Sequence, residues 1–369
     1  MSRLLTPAAA AALVVLTVFD VVLSAAATTW QISTDFRMPY AVGEIARSHG
    51  WEHIYELNLQ RPVVLGLSHS DLFYPYLNAP PWAFLVFPLT FLPYPVAYAI
   101  CVVVMAGCLL AAALLAAPSD RLHRIIYAGS AFGSLEVALG PGFGQPAALV
   151  ALAIVGCWRL LRADRPALAG LTLALITVKP NIAVLVPFAL LLAGHTRAFV
   201  YWAAATLALA AVSVVALQPS GVQEYLVLLA TGPNYLANEP AWTLSRLLGP
   251  TVGLPLEALV VIGAAASAWL YRRQGPEVPI AVGIVATLIV SPYMHTQDLV
   301  VLVVAIWMLH RAQLEQLNGR VLAALWVVAV VGIEWTPLLV AAEVALVGIL
   351  LYPALGQRRM LVPTGTQPP

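Results

Sequence analysis

Charge is scarce in this sequence: Asp, Glu, Lys and Arg make up 9% of 369 residues, against 61% hydrophobic residues. With so few polar side chains the chain cannot coat a water-soluble globule, and lipid must be the solvent for most of its surface. The 18 basic and 17 acidic residues nearly cancel, which excludes the basic face that a nucleic-acid partner needs. Cysteine is almost missing. Cys101, Cys108 and Cys157 all fall inside apolar runs without metal-ligand spacing and read as small core residues. No acidic pair of the Asp-x-Asp kind occurs, so neither a metal nor another cofactor is expected. The apolar runs also lack period-2 alternation, which excludes a barrel and leaves helices as the spans.

What fills the chain instead is one apolar segment after another, with a mean hydropathy of +0.89. The first, from about Pro7 to Ala27, follows Arg3 and ends in Ala-rich sequence. It is too long for a cleaved signal peptide and is expected to stay as a transmembrane helix with the N-terminus inside. A polar, aromatic loop over 28–94 follows. Its proline-rich part, 79–94, reads as a re-entrant or interfacial helix. Pro95 to Ala117 then crosses inward, and further spans fall at 125–139, 146–161, 166–178, 181–193, 198–217, 252–271, 277–291, 298–310, 320–334 and 337–352. This order puts Arg121, Arg124, Arg159, Arg162, Arg165, Arg197, Arg272, Arg273, Arg311, Arg320, Arg358 and Arg359 on one side, the cytoplasmic side by the positive-inside rule. The expectation is an all-α polytopic bundle of about twelve spans, one integral membrane domain over 1–369 with both ends inside. Around Lys179-Pro180 the pattern fits either one kinked helix or a hairpin of two short ones. The hairpin preserves the Arg asymmetry and puts Lys179 at the outer end, a costly place for a lone ammonium.

The outer connections gather the remaining polar chemistry: the 28–94 loop, the turn Gly140 to Gln145, Lys179, a second loop over 218–250, and Ser291 to Asp298. Aromatic rings next to amides and carboxylates suit a sugar, because pyranose faces stack on rings while hydroxyls pair with polar groups. Tyr235, Asn238, Trp242, Ser245 and Arg246 of the second loop fit that description, although Trp and Tyr are also common at membrane interfaces.

Four segments in order resemble glycosyltransferase family 87, within the GT-C superfamily. They are Asp35-Phe36 with Tyr40-Ala41, Gly50 and Ile54-Tyr55; Phe73-Tyr74-Pro75 through Pro80-Pro81, Phe84, Pro88-Leu89 and Leu92-Pro93; Gly144-Gln145 followed by Ala169-Gly170 and Lys179-Pro180; and Ser291-Pro292 with His295 and Asp298. Pro146 departs from the family pattern, which has an asparagine there. The resemblance implies a GT-C type bundle. It also implies an inverting transferase that moves a sugar, most simply mannose, from a polyprenyl phosphate to a hydroxyl of a membrane glycolipid or glycan outside the cytoplasm. The competing class is a multispan transporter or flippase of lipid-linked sugars, against which stand the absence of an internal repeat and the concentration of polar residues on one face.

Such a transfer needs one carboxylate to take the acceptor's proton and a cluster of cations or donors for the departing phosphate. Asp35 follows the first helix closely, near the depth of a lipid-linked phosphate, and is the expected base; its structural alternative is a turn carboxylate. Asp298 is the second candidate, and could equally cap the helix it precedes. Lys179 and His295 are the candidates for the donor phosphate, His295 also for proton transfer, with a snorkelling lysine and a turn histidine as the plain alternatives. Gln145 and Tyr293 are candidates for the donor or sugar, with Trp242 and Arg246 behind them. Asp20 reads as a structural hydrogen-bonding group within the first span, and Glu136, Glu257, Glu334 and Glu343 are given no role.

Overall fold

The computed structural model describes residues 13–18, 20, 22, 35–67, 73–133, 140–231, 243–291, 294–331 and 336–360. Among these the regular elements are all helical. Three helices are long and apolar enough to cross a membrane: Tyr94–Ala116, Thr196–Thr231 and Pro250–Leu270. The first is typical. Ala97, Cys101, Met105, Leu109, Ala112 and Ala116 form its buried stripe, while Val103 on the other side is 71% exposed, a face that only lipid can cover.

The helices that carry the polar residues are shorter: Ala147–Arg162, Glu277–Val290 and Val300–Ala312 have 16, 14 and 13 residues. At 1.5 Å per residue they reach only about 20 to 24 Å, short of the ~30 Å hydrocarbon core. Glu277–Val290 is buried all round through Ile289, which makes it the central rod of the bundle. Local sequence fixes their ends: Pro276 precedes Glu277, an acid in the first turn, while Arg159, Arg162 and Arg311 lie in the last turns of the other two helices, each charge opposing the local helix dipole.

One end of the bundle is tied together by these basic termini. The Trp158 indole donates to Glu277 Oε1 at 2.8 Å, Arg162 Nε lies 3.4 Å from the same oxygen, and the Arg311 guanidinium sits over the Trp158 ring at 5.4 Å. His123 and His310 rings approach to 5.6 Å, and His310 Nδ1 lies 2.7 Å from the Tyr127 hydroxyl. Arginines far apart in sequence are therefore neighbours at one end.

The segment around Lys179 is a hairpin. Pro166–Leu173 continues as a 3-10 turn, Ala174–Val178; after Lys179 a second 3-10 turn, Pro180–Ile182, leads into the helix Val186–Leu192. Gly170, one turn into the first arm, lies against Ala198 O and Trp202 N, one turn into the helix that follows the second arm. Both arms thus start from the Arg-rich end, and Lys179 is the tip. The long Thr196–Thr231 helix breaks at Gln218, where φ is 56° and Pro219 follows, the residue before a proline being unable to keep the helical conformation comfortably.

The described part of the first loop, polar by composition, is folded and largely buried. Arg37–His49, Leu57–Gly66 and Pro80–Val86 form a helical cap. Gln60, fully buried, donates to Ile54 O at 2.7 Å and accepts from Tyr76 N at 2.8 Å. Tyr55 stacks between Tyr76 and Tyr225, with centroids at 5.9 and 4.5 Å. Tyr225 lies beyond the Pro219 break, so the part of that helix after the break is the cap's support.

Gly170 is the closest of these approaches. Gly170→Ala is expected to lower stability by about 1 to 3 kcal/mol through overpacking, whereas Gly107→Ala, with nothing within 4 Å, should be neutral or stabilising by up to about 1 kcal/mol. Thermal unfolding of both variants in detergent checks the difference.

Candidate active site

At the end opposite the arginines four polar side chains from four separate segments form one chain of contacts. Asp298 Oδ1 lies 2.5 Å from Lys179 Nζ; Lys179 Nζ donates to Gln145 Oε1 at 2.9 Å; Gln145 Nε2 donates to Asp35 Oδ2 at 2.6 Å. Exposure falls along it from Asp35, half-buried, through Gln145 at 7% and Lys179 at 2% to Asp298 at 0%. The open end is therefore a carboxylate and the closed end an ion pair.

Each member is placed by its own backbone. Phe36 N donates to Phe143 O at 2.9 Å, which lays Asp35-Phe36 along the Gly-rich turn. Gly144 sits at φ +67° with the Phe36 Cβ 2.6 Å from where its own Cβ would be, so this turn needs glycine both for conformation and for space. On the turn's other side, a Cβ at Gly140 would come within 3.2 Å of Gln297. The turn is thus held between the first loop and the 294–298 segment. Tyr98 reinforces it by donating its hydroxyl to Gly142 O at 2.6 Å. Pro146, which replaces the asparagine expected by resemblance, is the N-cap of Ala147–Arg162, and its carbonyl accepts from Val150 N at 3.1 Å.

Asp298 has both oxygens engaged: Oδ1 with Lys179, and Oδ2 accepting from His295 N at 3.1 Å. With no exposed surface it is a fixed counter-charge that also shapes the turn bearing His295. Lys179, expected to meet a phosphate directly, is enclosed by Asp298 and Gln145. His295 itself is half-buried beside this pair. Arg246 stands apart: it is exposed on the short helix Leu244–Leu248, and its backbone N–H donates to the Thr243 side chain at 3.3 Å. Tyr293 and Trp242 lie outside the described residues. Arg37, two residues after Asp35, is buried at 5% exposure, a second cation near the site to which the sequence assigned no role. Rings of Phe36, Tyr40, Tyr94 and Tyr98 pack around the Asp35 segment with centroids 5.2 to 6.3 Å apart.

The profile of glycosyltransferase family 87 matches residues 76–292. The chain belongs to glycosyltransferase family 87. No curated protein and no solved structure matches it. The family match and the apolar helices together describe a membrane glycosyltransferase. Gln145 and Lys179 fall inside the matched region of this transferase, whereas Asp35, His295 and Asp298 fall outside it, joined to the first two by the contacts above. A sugar transferase uses a donor and an acceptor; of the two carboxylates in this chain of contacts, Asp35 is half-buried and Asp298 is enclosed.

Gly144→Ala is expected to displace Asp35-Phe36 from the turn and to cut turnover by about 100-fold, the scale of a misplacement near 1 Å at a reacting group. Turnover and thermal unfolding measured on the same preparation check it: activity should fall far more than stability.

Proposed function

We propose that this family 87 enzyme transfers a sugar, most simply mannose, with inversion from a polyprenyl phosphate to a hydroxyl of a membrane glycolipid or glycan. The site faces outward from the plasma membrane, and both chain ends are cytoplasmic. The observation that carries the reading is the Asp35–Gln145–Lys179–Asp298 chain at the end of the bundle opposite the arginines. By the positive-inside rule that end faces away from the cytoplasm.

The short helices support the choice of a lipid-borne donor. With the Arg-rich end at the inner interface, elements about 20 to 24 Å long bring the site to rest several Å below the outer edge of a ~30 Å core. A phosphate tethered to a polyprenyl chain arrives at that depth, whereas a free nucleotide sugar would have to leave water to reach it. Asp35 accepts the hydroxyl proton, His295 meets the donor phosphate as charge builds on it, and Gln145 and Tyr293 border the sugar. Polyprenyl phosphate is a good leaving group, so stabilising its charge matters more than a strong general acid.

Purified protein given polyprenyl-phosphomannose and a panel of membrane glycolipids should yield hexosylated lipid by mass measurement; use of a nucleotide sugar in place of the lipid donor would sink this mechanism. Asp35→Asn should lose about 10² to 10⁴ in turnover while donor binding survives. For topology, Asn58→Cys, on the exposed face of the first-loop cap, should react with an impermeant thiol reagent in intact cells, and Ala163→Cys, beside Arg162, should react only after the membrane is opened.

A further inference from the structure

We infer that Lys179 and Asp298 are a positioning pair that sets the orientation of the Gln145 amide and thereby decides which oxygen of Asp35 is free to act as base. The inference rests on the reading of Asp35 given above.

An ammonium has three donors and no acceptor. Lys179 Nζ, 2.9 Å from the Gln145 side chain, can therefore face only the carbonyl end of that amide. The other end must then present its NH₂, and this is the group 2.6 Å from Asp35 Oδ2. Without the lysine the amide has two orientations related by a half-turn, and one of them sets its carbonyl against an ionised carboxylate, which has only acceptors. Lys179 removes that choice.

Asp298 in turn holds Lys179. Its Oδ1 is 2.5 Å from the ammonium, its Oδ2 accepts from His295 N at 3.1 Å, and neither acid nor lysine has more than 2% exposure. A lysine so enclosed is not open to a bulky phosphate diester, but it is well placed to act through the amide it touches. With Oδ2 occupied by Gln145, Oδ1 of Asp35 is left for the acceptor. There it takes the hydroxyl proton as the acceptor oxygen bonds to the anomeric carbon. The bond from that carbon to the phosphate oxygen breaks, and its electron pair leaves with the polyprenyl phosphate.

The test uses full-length protein with polyprenyl-phosphomannose and the glycolipid that accepts mannose from it. Removing one charge alone would strand its partner in the interior and endanger folding, so both are replaced: Lys179→Met/Asp298→Leu, of similar volume. The expected result is a kcat lower by about 10- to 100-fold with donor KM within about twofold of wild type. Added to Gln145→Leu, the pair should cause no further loss, because both act through the same amide.

Gln145→Glu keeps an oxygen toward Lys179 but puts a second one against Asp35. Its kcat should fall similarly, and the acid limb of its kcat–pH profile should move to higher pH, since a neighbouring like charge favours the protonated base. This variant retains both members of the ion pair and so decides the matter even if the double replacement does not fold: an unmoved acid limb overturns the inference. So does a donor KM raised tenfold at preserved kcat in the pair variant, which would make Lys179 a phosphate contact, or a loss that multiplies with that of Gln145→Leu. Asp35→Asn separates the two levels. Near-normal turnover there removes the base itself, whereas an inactive Asp35→Asn beside a fully active pair variant removes only the positioning role.

Discussion

The contact between Lys179 and Asp298 is the constraint around which the end of the bundle opposite the arginines is arranged. A buried ion pair is not in itself a source of stability, because desolvating both charges offsets most of their attraction. Its effect is geometric. An ammonium at the tip of an apolar hairpin cannot be left alone at membrane depth, and the acid that meets it stands just before the Val300–Ala312 helix. Two segments separated by 119 residues are thereby brought into register. Gln145 and Asp35, each held by its own backbone, meet the pair in turn, Gln145 at Lys179 and Asp35 at Gln145.

A second constraint is length. The 3-10 turns on both sides of Lys179, the 14-residue central helix and the 13-residue helix after Asp298 all fall short of a full crossing. They converge on the end of the bundle that holds Asp35, Gln145, Lys179 and Asp298, beside the helical cap of the first loop. Tyr55, Tyr76 and Gln60 bind that loop to itself, and Tyr225 binds it to the helix beyond Gln218. Short helices that look too brief to span are, in this arrangement, what gives a polar site a place inside a membrane protein.

Much of this was legible in the residues. Apolar runs without alternation announced helices and lipid, and the arginines at alternate connections announced two unlike ends, which Trp158, Glu277, Arg162 and Arg311 bear out by meeting at one of them. Glycosyltransferase family 87 was legible through Gly144-Gln145, Lys179-Pro180 and the proline-rich segment after Tyr76. The burial of the first loop was not. Arg37, Tyr40 and Tyr55 are inside, and Tyr40 and Tyr55 find their partners at Leu92, Tyr94, Asn78, Tyr76 and Tyr225, too distant in sequence for any local pattern to show.

What the sequence determined by itself is the apolar character of the surface, the helical class and the identity of the polar residues available for chemistry, since each depends on composition and spacing alone. Only the tertiary structure decided how those residues are paired. Asp35, Gln145, Lys179 and Asp298 each had a plausible solitary role, and hydrogen bonds of 2.5 to 2.9 Å turn them into one directional chain. The reason is physical: a donor or acceptor buried away from water takes its meaning from the group opposite it, and that group is supplied by packing between segments far apart in the chain.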